Sequence, residues 1–181
     1  MGRFLLLFIF LVEAVIKLMG TNQANGNAIS KNAETVIYLV RHAEKVTSNP
    51  NDENPGLTEA GMERAEDLKQ YLRDVEVDAF FSTPYKRNQL TIKPTAAGKP
   101  IQFYEPHDYT GLRDRILKDF QGKTVLIVGH SNSLLPIVEA FGAKKPVALI
   151  GENDYDNIFK LEVSARGKVR VQPKKYGKLN V

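Results

Sequence analysis

The chain has 181 residues, enough for one domain with a sizeable core, and its 43% hydrophobic and 25% charged residues are ordinary for a globular protein. It contains no Cys, which excludes a disulfide framework, a thiolate nucleophile and a Cys-ligated metal site. The net charge of +4 is unevenly spread: residues 25–159 carry 16 Lys/Arg against 19 Asp/Glu, whereas residues 160–181 carry 7 against 1. That basic end reads as a solvated edge strand kept soluble by its lysines, with no nucleic-acid partner expected.

The start, Met1-Gly2-Arg3, is short and positive, and residues 4–12 are an unbroken apolar run. Glu13 and Lys17 break the pattern beyond residue 12, so the stretch is too short and too charged for a good transmembrane helix. It reads as a signal peptide over residues 1–24, ending at Ala24, followed by a linker over residues 25–35. The expected location is secreted or periplasmic, with no stable membrane span once the leader is removed.

Past the leader, strands and helices alternate. Val36-Ile37-Tyr38-Leu39-Val40 is a buried strand by its branched and aromatic residues. A helix begins at Thr58, a plausible N-cap, with Leu57 and Met62 spaced as a hydrophobic staple. Met62, Ala65, Leu68, Tyr71, Leu72 and Val75 continue it at helical spacing. Residues 77–81 form the second strand. Ser82-Thr83-Pro84 reads as a helix start, and the helix over residues 85–97 should be kinked or cut short by Pro94. Residues 101–104 are a third strand, and Leu112, Ile116, Leu117 and Phe120 mark a helix closed by Gly122. Residues 124–128 are the fourth strand and 131–141 a helix closed by Gly142. Residues 158–163 and 169–171 make a terminal hairpin with Gly167 in the turn. The domain is expected over residues 36–173, with a basic tail over 174–181.

This alternation implies an α/β fold, a three-layer αβα sandwich around a mostly parallel sheet. Such sheets bind ligands beyond the carboxyl ends of their strands. Those ends here carry Arg41-His42, Ser82-Thr83-Pro84 and Gly129-His130. Arg87 lies on the first turn of the helix after the second strand. Two guanidiniums, two imidazoles and a helix N-terminus make an anion cradle, and guanidinium bonds phosphate oxygens bidentately. Phosphoryl transfer needs such donors around the transferring group. A neutral imidazole can attack phosphorus, and neighbouring guanidiniums disfavour its protonation. No metal-ligand spacing is visible, so neither a metal nor another cofactor is expected.

Arg41-His42-Ala43-Glu44 resembles the RHG/RHA motif of the histidine phosphatase superfamily, which has the phosphoglycerate mutase-like fold. Leu57-Thr58-Glu59-Ala60-Gly61 resembles its LTxxG helix start. Ser82-Thr83-Pro84 with Arg87 resembles its SxxxR segment, Arg87 to Thr91 its Arg…Thr helix, and Val128-Gly129-His130-Ser131-Asn132 its V-x-H segment. Asn88 stands where the family usually has a smaller residue. The resemblance spans roughly residues 36–163. It implies that His42 carries the phosphoryl group as a phosphohistidine, and that Arg41, Arg87 and His130 hold the phosphate; Ser131, at the helix start after His130, is a further candidate for substrate binding. In the mutase-like branch a Glu after the third strand is the general acid. Glu105 fits that slot, with Glu44 and Asp108 also candidates; Glu44 is equally a salt-bridge partner for Lys45 or Arg87. His107 reads as a surface or supporting residue.

The activity implied is a phosphomonoesterase acting on a phosphorylated small molecule or a glycan or lipid phosphate. A phosphomutase and a phosphohistidine-protein phosphatase are the alternatives within the superfamily. A non-catalytic phosphate-binding module is the alternative outside it.

Overall fold

A computed structural model describes residues 33–179, so the leader expectation lies outside the described residues. The elements in chain order are β1 (Thr35–Arg41), α1 (Glu59–Tyr71), β2 (Ala79–Ser82), α2 (Lys86–Ala96), β3 (Ile101–Phe103), α3 (Tyr109–Asp119), β4 (Thr124–Gly129), α4 (Leu134–Ala140), β5 (Asn157–Val163) and β6 (Val169–Lys175). The six strands form one sheet in the order β3-β2-β4-β1-β5-β6. The first four strands in that order run parallel, and β5 and β6 close the edge as an antiparallel hairpin.

Alternation along β1 explains the layers. Ile37 and Leu39 face one core with Phe81, Ile127 and Phe159, covered by Leu112 and Ile116 of α3 and Leu134 and Ile137 of α4. Val40 faces the other core with Phe80, Leu126, Val128 and Ile158, covered by Leu68 of α1 and Ile92 of α2. Residues on parallel strands point to opposite faces in turn, and both faces here are apolar because both are covered by helices.

The register sets the site. Arg41 pairs with Gly129 across β1 and β4, and Ser82 pairs with Val128 across β2 and β4. The chain therefore leaves all three strands at one height, and the next residues, His42, Thr83 and His130, emerge side by side.

Thr58 caps α1, its side chain accepting from the Gly61 N–H at 3.1 Å, as the sequence suggests. The buried face differs from the expectation: it is Gly61, Arg64, Ala65 and Leu68, whereas Met62 and Tyr71 are exposed. The reason is the close approach of Gly61 to the Glu44 backbone. Any Cβ at Gly61 would collide with the Glu44 carbonyl. The same carbonyl accepts from the Thr58 N–H at 2.9 Å. The N-terminus of α1 is thus seated on the segment just after His42, and that seating fixes the rotation of the helix.

Ser82-Thr83-Pro84 does not cap α2. Ser82 ends β2, and the residue before the helix is Tyr85, which makes no side-chain cap. Pro94 lies inside α2, and the helix ends two residues later, with Ala97 in the left-handed region. Ser131 and Asn132 lie in a turn and regular helix begins only at Leu134, later than expected. The C-terminal hairpin is longer than expected: β6 continues through Lys174 and Lys175, and Tyr176 is buried. The segment expected as a basic tail from residue 174 is therefore packed at its start. Lys175 bonds Asp156 at 2.7 Å, and the carbonyl of Lys178 accepts from Arg64 at 3.0 Å.

Candidate active site

His42 is 4% exposed. Its backbone N–H donates to the Gly129 carbonyl at 2.9 Å, continuing the β1–β4 ladder by one residue. Its Nδ1 lies 2.8 Å from the Ala43 carbonyl oxygen. A carbonyl only accepts, so Nδ1 carries the proton and Nε2 keeps its lone pair. Burial holds the His42 imidazole down to about 3 from the ordinary 6.5; the Ala43 carbonyl opposes this, and the charges of Arg41, His130 and Arg87 add to it. His42 is therefore a neutral imidazole with Nε2 unprotonated.

Arg41 is buried beside it. Its Nη1 donates to the carbonyls of Gly151 at 3.0 Å and Glu152 at 2.7 Å, and its guanidinium lies 4.2 Å from the centroid of the Tyr155 ring. The Tyr155 ring is also 6.2 Å from that of His42. The loop before β5 is thus fastened to the site through Arg41. Arg87 lies over Tyr85, 4.4 Å from its centroid. Burial lowers its pKa; Tyr85 opposes this and Arg41 adds to it. The Nε atoms of both arginines are buried and have no hydrogen-bond partner. Unpartnered buried donors are costly, and the two guanidiniums that carry them both line the same cavity.

His130 faces His42 edge-on, with ring centroids 5.4 Å apart. Its Nε2 lies 3.1 Å from the Thr83 hydroxyl. A hydroxyl can donate or accept, so this pairing engages Nε2 in either tautomer and leaves Nδ1 as the nitrogen without a protein partner. Burial first, then Arg87 and Arg41, hold His130 at about 4. The Ser133 hydroxyl accepts from the His130 backbone N–H at 2.7 Å and keeps the turn in place.

Two α2 side chains tie these parts together. The Thr91 hydroxyl donates to the Arg87 carbonyl at 2.8 Å and accepts from the Ala43 N–H at 2.9 Å. Asn88 donates to the carbonyls of Val128 at 3.2 Å and Gly129 at 3.0 Å. The Arg-x-x-x-Thr spacing thus locks the helix carrying Arg87 onto the segment carrying His42.

Arg41, His42, Arg87, His130 and Ser131 all line one cavity of about 380 Å³. The three carboxylates considered as general acid lie elsewhere. Glu105 is exposed and outside the cavity wall. Asp108 caps α3, accepting from the Gly111 N–H at 2.9 Å. Glu44 pairs with the buried Arg64 at 2.8 Å, not with Lys45 or Arg87. His107, read from sequence as a surface or supporting residue, is exposed and lines the cavity, as do Lys45, Tyr85, Tyr109 and Glu152. Of the roles that sequence reasoning missed, those of Thr83 and Thr91 had a signal in the motifs around them. That of Tyr155 had none, being more than a hundred residues from the arginine it covers. Among the described residues no group of His, Asp and Glu could hold a metal ion, and no helix is long and apolar enough to cross a membrane.

The neutral histidines have a consequence for stability. In the unfolded chain both titrate near the ordinary 6.5, whereas in the fold they stay neutral down to about 3 and about 4. Within that window the unfolded state binds more protons. The contribution is therefore complete above about 6.5 and is lost progressively as pH falls. Urea midpoints at about pH 7.5 and about pH 4.5 should differ, and His42→Gln should narrow the difference by removing one of the two titrations. An identical difference in wild type and variant would contradict the buried neutral state.

The sequence from residue 37 to 132 matches the profile of the histidine phosphatase superfamily, branch 1. A search of curated proteins finds no significant match. The fold is similar to that of the protein histidine phosphatase SixA, solved with tungstate, at a TM-score of 0.61 and 15% identity, over 77% of this chain and 96% of that one. A phosphoserine phosphatase mutant from Entamoeba histolytica, in complex with phosphoserine, is similar at a TM-score of 0.61 and 14% identity, over 78% and 96%. YhfR of Bacillus stearothermophilus is similar at 0.60 and 21% identity, over 76% and 95%. The profile covers more than half of the chain and the three-layer fold agrees with it: the chain belongs to the histidine phosphatase superfamily and is an enzyme of the phosphatase type.

Proposed function

We propose that the chain is a phosphomonoesterase that works through a phosphohistidine on His42 Nε2. One observation carries this reading: a buried imidazole, held neutral with Nδ1 tied to the Ala43 carbonyl, stands beside two guanidiniums whose buried Nε atoms have no partner. The arginines would bind the phosphate oxygens, His130 would donate to them from Nδ1, and Nε2 of His42 would attack in line. Water would then release inorganic phosphate from the phosphohistidine. The substrate class is a phosphorylated small molecule or a glycan or lipid phosphate, and the apolar N-terminal run supports an exported enzyme.

The test is release of inorganic phosphate from 4-nitrophenyl phosphate in the presence of EDTA. Turnover undiminished by the chelator is expected, because the arginines supply the positive charge. Absence of turnover, or turnover restored only by an added divalent metal, would overturn the reading.

A further inference from the structure

The cavity holds several groups that stabilise charge on a phosphate but give up a proton poorly. Arg41 and Arg87 are guanidiniums, Lys45 is an ammonium, and His130 is held neutral. Expulsion of an alkoxide from a phosphate ester needs a proton on the leaving oxygen. The carboxylates expected to supply it are outside the cavity wall, on a helix cap or in an ion pair, and the one carboxylate residue on the wall, Glu152, belongs to the loop whose carbonyls hold Arg41.

The loop after β3 offers a different group. His107 has φ of +74°, in the left-handed region that few residues with a Cβ adopt, Asn, Asp and His most often among them. His107 lines the cavity together with its neighbours Tyr104, Pro106 and Tyr109, whereas Glu105 is exposed and is not part of the lining. His107 Nδ1 lies 3.0 Å from the Tyr109 hydroxyl, and both residues line the cavity. The charge of His107 also acts on His130, which places the two rings within electrostatic reach. His107 is exposed to solvent in the loop after β3.

We propose that His107, rather than Glu105, is the proton donor to the leaving-group oxygen, with Tyr109 as the positioning residue that holds its ring. The inference rests on the phosphomonoesterase reading above. As the bond from His42 Nε2 to phosphorus forms, the bond from phosphorus to the ester oxygen breaks. Protonated His107 gives its Nε2 proton to that oxygen, which leaves as the alcohol, while its Nδ1–H donates to Tyr109 Oη. Neutral His107 then takes a proton from the attacking water as the phosphorus–nitrogen bond breaks and phosphate departs.

The experiment compares kcat/KM for 4-nitrophenyl phosphate, whose leaving group needs little protonation, with that for glycerol phosphate, whose leaving group needs it. Asn tolerates a left-handed backbone, so His107→Asn removes the imidazole and keeps the turn. The variant should lose about 10²–10⁴-fold on glycerol phosphate and change little on 4-nitrophenyl phosphate. Tyr109→Phe should show a smaller loss with the same leaving-group dependence. Equal losses of His107→Asn on both esters, or no loss on either, would overturn the proposal. So would a leaving-group-dependent loss in Glu105→Gln or Glu152→Gln without one in His107→Asn. If the wild type hydrolyses neither ester, the phosphomonoesterase reading itself falls.

Discussion

His42→Ala is expected to abolish turnover, a loss on the order of 10⁴–10⁶ in kcat, and to abolish the covalent phosphoenzyme expected of the wild type. The protein invests several contacts in this one ring. Its backbone is bonded to Gly129, its Nδ1 to the Ala43 carbonyl, and its burial keeps Nε2 unprotonated at neutral pH. His130, 5.4 Å away, is also neutral, but its Nε2 is engaged by Thr83. The two rings are therefore chemically distinct, and only His42 presents a free Nε2. Phosphohistidine survives base and is lost in acid, whereas phosphoserine behaves in the opposite way. Rapid quench into base with a labelled phosphomonoester, then peptide mapping, reads the difference. Label on the peptide containing residues 40–45 that vanishes in His42→Ala is the expected result. Label on Ser82, Ser131 or His130, or steady turnover by His42→Ala, would show that the nucleophile lies elsewhere.

Arg87→Ala should lower kcat/KM by roughly 10²–10³, the scale of one lost charge-assisted donor in a preorganised site. Arg87 sits over Tyr85, and its buried Nε has no partner within the protein. It is held there by α2, which Thr91 and Asn88 fasten to the Ala43, Val128 and Gly129 backbone, so the donor is in place before substrate arrives. Arg87→Lys should recover only part of the loss. An ammonium supplies charge but not the planar pair of donors, and it cannot stack on Tyr85 in the same way. The expected signature is a fall in kcat together with weaker inhibition by inorganic phosphate. Wild-type kcat/KM in Arg87→Ala would remove this residue from the site.

Most strands and helices could be read locally because their signals are local. Five apolar residues in a row at 36–40, a hydroxyl before a helical pattern at Thr58 and a glycine after one at Gly142 each act over a few residues. The strand ends carrying Arg41-His42 and Gly129-His130 were legible for the same reason, and with them the central members of the site. What local pattern could not decide was orientation and long-range pairing. The α1 pattern pointed to Met62 and Tyr71 as core, yet Gly61 must lie against the Glu44 carbonyl, and that contact turns the helix to bury Arg64 instead. Arg64 in turn takes Glu44, which pairs that carboxylate with α1.

The cavity wall was decided in the same way. The proton-donor slot reads as Glu105 by position after a strand, whereas in the fold His107 lines the cavity and Glu105 is exposed beside it. Tyr155 covers Arg41 from the far end of the chain, and its own neighbourhood carries no sign of that partner. Which residue types stand at the strand ends is written in the sequence, because alternation and turn chemistry are short-range properties. Which side chains meet across those ends is a property of the folded chain. Sheet register, helix rotation and a single backbone turn each depend on contacts between segments tens of residues apart.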